Sequence, residues 1–221
     1  LQLGRMVPRK GIDDVIRALP LLKRRFKVDA KLYIVGGNTD VANSVATPEI
    51  GRLGALADSL GVRNQVVFAG RRNRNALAAF YNAADVFVTT PWYEPFGITP
   101  LEAMACATPV VGTNVGGIKY TVVNGKTGYL VPPHDLHTLA QRLSLLAADP
   151  SLRASMGAAG WQRVNRKFTW HKVAGDLAAL YGRILNTSLS TPAILATDYA
   201  DKSIARNIPH FTRNRLLSDA A

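Results

Sequence analysis

Short apolar runs alternate with amphipathic stretches along most of this chain, and that alternation leaves few folds open. Runs at 32–35, 66–68, 86–88, 110–111 and 129–131 are rich in Val, Leu, Ile, Phe and Tyr. Each ends near Gly, Pro or a polar loop, as strands do. Between them, residues 12–26, 48–60, 75–83, 98–107 and 118–123 read as helices. Strands joined through helices lie parallel and are covered on both faces. The expected fold is therefore α/β, a Rossmann-like doubly wound parallel sheet. Such sheets bind ligands beyond the carboxyl ends of their strands. Gly36, Gly70, Glu94 and Thr113 all follow strands, so they are expected to converge on one crevice.

After Pro133 only helical patterns remain. Asp135 caps a predicted helix to about Ala147, Ser151 starts a second, and Thr169 starts a third that runs to about Asn186. The expected division is one domain over 1–186 and a poorly structured tail over 187–221, where periodicity fades and Pro192 and Pro209 intervene.

The most informative run within this pattern is Glu94-Pro95-Phe96-Gly97-Ile98-Thr99-Pro100-Leu101-Glu102. It follows the strand that holds Val86-Phe87-Val88 and opens a helix at Gly97. Backbone N–H groups around Gly97, Ile98 and Thr99 are free to meet phosphate oxygens, and the helix dipole favours negative charge there. Glu94 lies in the loop and is able to accept hydrogen bonds from sugar hydroxyls. Glu102 lies five residues past Gly97, about 7 Å further along the axis at ~1.5 Å per residue. One extended ligand can reach both acids.

The run resembles the E-x7-E signature of retaining glycosyltransferases of the GT-B fold, family 4. Its continuation through Leu101-Glu102-Ala103-Met104-Ala105 into Thr108-Pro109-Val110-Val111 is similar too. So are Gly4-Arg5…Lys10-Gly11, Gly36-Gly37, Gly116-Gly117-Ile118 and Gly125-Lys126-Thr127-Gly128. The likeness covers about Gly4 to about Ile184. It implies the carboxyl-terminal, donor-binding half of such an enzyme, with the acceptor held by an amino-terminal domain.

By that resemblance Arg5 and Lys10 hold the diphosphate of a nucleoside diphosphate sugar. The Arg fork pairs planar groups and the Lys supplies a point charge. Glu94 takes hydroxyls of the transferred sugar, aided by backbone N–H groups of Phe96, Gly97 and Ile98. Thr99 adds a donor to the phosphates, and Glu102 takes the ribose hydroxyls. Gly36 lets a loop approach the ligand, an assignment that weighs evenly against a plain turn. Arg71 matches the region that meets the base, through its backbone more than its side chain. Arg9 falls one residue off the pattern and is expected to face solvent. Ala107 replaces a usual Gly, and Tyr120 replaces a usual Glu at the site rim. The insert at 38–47 and the run Gly117-Ile118-Lys119-Tyr120 resemble the sucrose-phosphate-synthase-like branch.

No Asp-x-Asp occurs in the chain, so the expected mechanism uses no metal and no cofactor. His134 and His137 have ligand spacing, but no Cys or acidic cluster completes a site, and capping and surface roles are expected for them. The net charge is +12, yet no aromatic residues alternate with the basic ones as a nucleic-acid stacking platform requires. Nucleic acid is therefore not the expected partner. A basic face suits nucleoside diphosphates or an acidic membrane surface. The single cysteine, Cys106, excludes an intrachain disulfide and fits a cytoplasmic protein. The start, Leu1-Gln2-Leu3-Gly4-Arg5, has no Met and reads as a strand, so a fragment of a longer chain is expected. The reaction class that results is hexosyl transfer with UDP-glucose as a candidate donor. The alternative is a non-catalytic nucleotide-sugar-binding or regulatory subunit.

Overall fold

The computed structural model describes residues 1–185; the helix end expected at about Asn186 and the tail expected over 187–221 lie outside them. The described chain divides into two compact units, the first being Leu1–Gln162 and the second beginning at Arg163.

The first unit follows the expected alternation. It runs β1 (Gln2–Leu3), α1 (Ile12–Phe26), β2 (Leu32–Val35), α2 (Pro48–Ser59), β3 (Val66–Gly70) and α3 (Arg74–Ala83). It continues through β4 (Phe87–Thr89), α4 (Ile98–Ala105), β5 (Val110–Thr113), α5 (Ile118–Thr121), β6 (Gly128–Val131), α6 (Leu136–Ala148) and α7 (Pro150–Lys167). A 3₁₀ turn at Pro8–Lys10 leads into α1. Every strand pair is parallel, in two ladders ordered β1-β2-β3 and β4-β5-β6.

The ladders meet at β1 and β4. The Leu1 nitrogen donates to Val86 O at 2.9 Å, and Val88 N donates to Leu1 O at 2.8 Å. The resulting order is 3-2-1-4-5-6, the doubly wound arrangement, with its topological switch between β1 and β4. All residues of β4 and β5 are buried, as strands covered on both faces must be. The helices fall into packed groups: α1 with α2 and α6, and α4 with α3 and α5. Gly157 and Gly160 of α7 lie so close to Ala107 and Met104 that a methyl there would sit 2.0 Å from Ala107 O and 2.9 Å from Met104.

Sequence explains the helix ends. Helix α1 buries Val15, Ile16, Leu19 and Leu22 on one stripe, with Asp13 and Asp14 in its first turn and Lys23, Arg24 and Arg25 in its last. Those charges match the helix dipole. The expected cap at Asp135 is present and accepts from Thr138 N. The start expected at Ser151 moves back to Pro150, because Asp149 accepts from Leu152 N at 2.9 Å and Pro fits the first helical turn. Helix α4 stops at Ala105, two residues earlier than expected. Ala107 there adopts the left-handed conformation, φ 54°, that a helix terminus usually gives to glycine.

In the second unit, α8 (Trp170–Ile184) begins where Thr169 accepts from Lys172 N at 3.2 Å. Lys172 pairs with Asp176 one turn on. No described helix is long and apolar enough to cross a membrane.

Candidate functional site

The loops that leave β1 and β4 lie at the switch point, and they are stitched together. Thr90 Oγ1 donates to Gly11 O at 2.6 Å, and Trp92 N donates to Arg9 O at 3.3 Å. Gly11 has φ 61°, and a Cβ there would sit 1.9 Å from Thr90 O. Only glycine permits that approach.

This contact brings Lys10 onto Glu94. The Lys10 ammonium donates to Glu94 Oε2, and both side chains are mostly buried. Arg9, expected to face solvent, is only partly exposed and turns toward the acid loop. Its guanidinium donates to Tyr93 O at 2.9 Å and comes within 3.9 Å of Glu94 Oε2. Arg9 and Lys10 both lie in the 3₁₀ turn Pro8–Lys10, and the turn carries both cations to the Glu94 loop. Arg5 is exposed and pairs with no described residue.

A second support lies beneath the acid loop. Gly117 N donates to Glu94 O at 2.9 Å, and Thr113 Oγ1, fully buried, donates to Pro91 O at 2.5 Å. A Cβ at Gly116 would sit 1.9 Å from Glu94 O, and one at Gly117 2.0 Å from Phe96 O. The loop's carbonyls are thus engaged from behind. The amides of Phe96, Gly97, Ile98 and Thr99 accept no such duty. Ile98 and Thr99 open α4, where no intrahelical acceptor exists for them. Gly97 takes φ 86° and is buried, while Phe96 and Ile98 stay exposed.

Glu102 sits on α4, half-buried, and its Oε2 accepts from Tyr81 Oη at 2.8 Å. Burial first, then the Glu102 charge, raises the Tyr81 pKa well above the phenol range. The Cys106 thiol is raised by burial and by the same carboxylate. Sequence reading missed Tyr81. It stands beside Phe80 in a short helix, and nothing local tells which of the two rings turns inward.

The remaining expected residues divide. Gly36, at the end of β2, donates from its N to Gly70 O at 2.9 Å, and a Cβ there would strike Gly4 O at 2.0 Å. Close packing of the strand ends therefore accounts for this glycine. Arg71 follows β3: its N donates to Thr39 O, and its side chain pairs with Asp40 at 3.3 Å. The structure does not bring its side chain to Glu94. His134 Nδ1 lies 3.0 Å from Asp14 Oδ2 and its ring packs near Trp92, whereas His137 lies against Phe26. Burial raises the Asp14 pKa, and the neighbouring His134 opposes that shift. Among the described residues no group of three metal-binding side chains occurs.

The family model for glycosyl transferases group 1 matches residues 1–163. The chain belongs to that family. Among curated relatives, it is 36% identical over 180 residues to D-inositol 3-phosphate glycosyltransferase of Corynebacterium jeikeium. That match covers 81% of this chain and 42% of the relative. It is 38% identical over 185 residues to the GDP-mannose-dependent alpha-(1-6)-phosphatidylinositol monomannoside mannosyltransferase of Mycolicibacterium smegmatis, covering 80% of this chain and 46% of that one. The chain thus spans less than half the length of these curated relatives.

Solved structures match the fold, two of them as follows. Sucrose-phosphate synthase of Thermosynechococcus elongatus superposes with TM-score 0.72 at 34% identity, over 85% of this chain and 46% of that one. The C-terminal domain of a glycosyl transferase group 1 family protein from Francisella tularensis gives 0.65 at 26%, over 76% of this chain and 85% of that one. The doubly wound parallel sheet is the kind typical of the GT-B fold.

Proposed function

We propose that this chain is the donor-binding half of a retaining glycosyltransferase, and that it holds a nucleoside diphosphate sugar at the β1–β4 switch. The observation that carries the reading is the convergence of Lys10, Glu94 and the opening of α4 on one point. Opposite charges stand there beside unused amides. A diphosphate needs the cation and the amides, and sugar hydroxyls need the carboxylate. Arg5, exposed at the same loop, supplies a second cation for the diphosphate. Glu102, one helical turn and more along α4, takes the ribose hydroxyls.

In this arrangement the protein acts by position and charge. Lys10, Arg5 and the amides of Gly97, Ile98 and Thr99 stabilise the negative charge that grows on the leaving diphosphate. Glu94 orients the sugar. No metal is assigned a part. The acceptor wall belongs to the remainder of a longer protein, a view supported by the fraction of its relatives that the chain spans. The likeness to a domain described as carboxyl-terminal supports the same placement. One relative is named for a GDP sugar, and UDP-glucose, the candidate donor from the sequence, is to be tested beside it.

Calorimetry with UDP, GDP and ADP tests the donor site. Binding of one of the three that persists in chelator is the expected result; no binding, or binding abolished by chelator, overturns it. Transfer by the 221-residue chain alone is expected at background and to return when the rest of the protein is joined. The lost orientation is worth roughly 7–11 kcal/mol. Multiple turnover by the chain alone would remove the two-wall reading. A regulatory subunit would bind sugar nucleotide equally and never turn over.

A further inference from the structure

Tyr81 is 1% exposed, yet its hydroxyl is spent on a side chain at the edge of the candidate site. The ring lies edge-on to Phe87, with centroids 5.4 Å apart. The backbone of Tyr81 is pinned as well: Thr108 Oγ1, itself buried, donates to Tyr81 O at 2.7 Å. The phenol therefore has one position, fixed by β4 and by the turn that leads into β5. Its proton goes to Glu102 Oε2 at 2.8 Å. No cation among the described residues pairs with Glu102, so this neutral donor is what holds the carboxylate.

A carboxylate offers about four lone-pair positions. Tyr81 uses one. The rest, chiefly on Oε1, remain for a ligand, and a freely turning Glu side chain becomes one with a set direction. Ordering a flexible side chain before the ligand arrives removes a cost that binding would otherwise carry.

We propose that Tyr81 is a positioning residue for ribose recognition: it fixes the Glu102 carboxylate so that the two vicinal hydroxyls of a nucleoside ribose meet it already aligned. Tyr81 touches no ligand atom. The proposal rests on the assignment of Glu102 to the ribose made above. Its consequence is selectivity for a cis-diol over a deoxy sugar, set by a residue behind the site.

The test measures dissociation constants on the full chain for UDP, GDP and ADP, each against its 2′,3′-dideoxy counterpart, and follows the ratio of the two. Wild type, Tyr81→Phe, Glu102→Ala and the double variant are compared. Wild type is expected to prefer the ribonucleotide. Tyr81→Phe keeps the ring and its packing, and is expected to cut the ratio about tenfold, the scale of one hydrogen bond to a charged group. Its affinity for the dideoxy nucleotide should not change, which also shows that the variant is folded. Glu102→Ala should abolish the ratio, and adding Tyr81→Phe to it should change nothing further. If Glu102→Ala abolishes the ratio and Tyr81→Phe leaves it intact, the positioning role is wrong and the ribose assignment stands. If wild type shows no preference, or Glu102→Ala leaves it intact, the ribose assignment fails and the positioning role fails with it. An equal loss for both nucleotides in Tyr81→Phe would show a structural effect only, and would also overturn the proposal.

Discussion

Glu94 and Glu102 belong to one motif and meet the protein in opposite ways. Glu94 lies in a loop, paired with the Lys10 ammonium and within reach of Arg9, cations from the far side of the switch. Glu102 lies on a helix, and its carboxylate accepts from a buried phenol. The loop acid is set by charge, the helix acid by a neutral hydrogen bond. Under the proposed donor-site reading, charge can be traded with an incoming diphosphate, with Lys10 and Glu94 each gaining a partner from the ligand. A buried phenol cannot be traded, so Glu102 is expected to keep its position with or without ligand. The region that must respond is built from ions across a seam, and the region that must stay still is built from a local, buried contact.

The comparison breaks most severely if the loop loses its backing. Gly116 has φ 45°, and any side chain there meets Glu94 O at 1.9 Å. Gly116→Ala is expected to destabilise by roughly 2–4 kcal/mol, from overpacking and left-handed strain together, and to abolish nucleotide binding. Gly125 also has a positive φ, 76°, but faces open space. Gly125→Ala should cost only about 1–2 kcal/mol and leave binding intact. Thermal unfolding with nucleotide titration reads both. Equal losses at the two positions would mean that the contact with Glu94 is incidental.

Next in size is the division of labour. Glu102→Ala is expected to weaken bare nucleoside diphosphate binding by ~1.5–3 kcal/mol. Glu94→Ala should leave the bare nucleotide nearly untouched and lower the preference for the sugar nucleotide. Equal effects on the bare nucleotide would erase the distinction.

A double-mutant cycle over Lys10→Ala and Glu94→Ala sharpens the charge half of the comparison. The coupling in stability is expected at about 1 kcal/mol and should shrink modestly as salt is raised, since the pair is partly but not wholly shielded from solvent. The matching cycle over Tyr81→Phe and Glu102→Ala should show little change with salt. The smallest effect concerns the end of α4. Ala107 sits at φ 54°, and Ala107→Gly should stabilise by roughly 0.5–1 kcal/mol without altering affinity; a loss of stability would mean that the Ala107 methyl has packing of its own.

Much of this molecule is readable in its sequence because the signals are local. The alternation of apolar runs and helices gives the parallel sheet, and Gly97 with its flanking acids marks the start of α4. Asp135 and Thr169 announce their helices as caps. What could not be read depends on distant partners. Tyr81 reaches Glu102 across 21 residues, and Arg9 reaches Tyr93 across 84. The role of Gly36 was open in sequence because a glycine that admits a ligand and one that admits a neighbouring carbonyl look alike. The Asp149–Pro150 start was legible as a cap followed by Pro, and the reading placed it at the next hydroxyl instead.

The seam between β1 and β4 has a kinetic consequence. Within each ladder, successive strands are separated by roughly one helix and its loops. The bond from the Leu1 nitrogen to Val86 O closes over 85 residues, and the Lys10–Glu94 pair closes over 84. Pairings between distant positions form slowly, because the chain loses loop entropy before the contact repays it. The two ladders are therefore expected to gather first and the join between them last. The proposed diphosphate site is complete only at that final step, so on this reading the refolding chain first captures nucleotide when the sheet is finished.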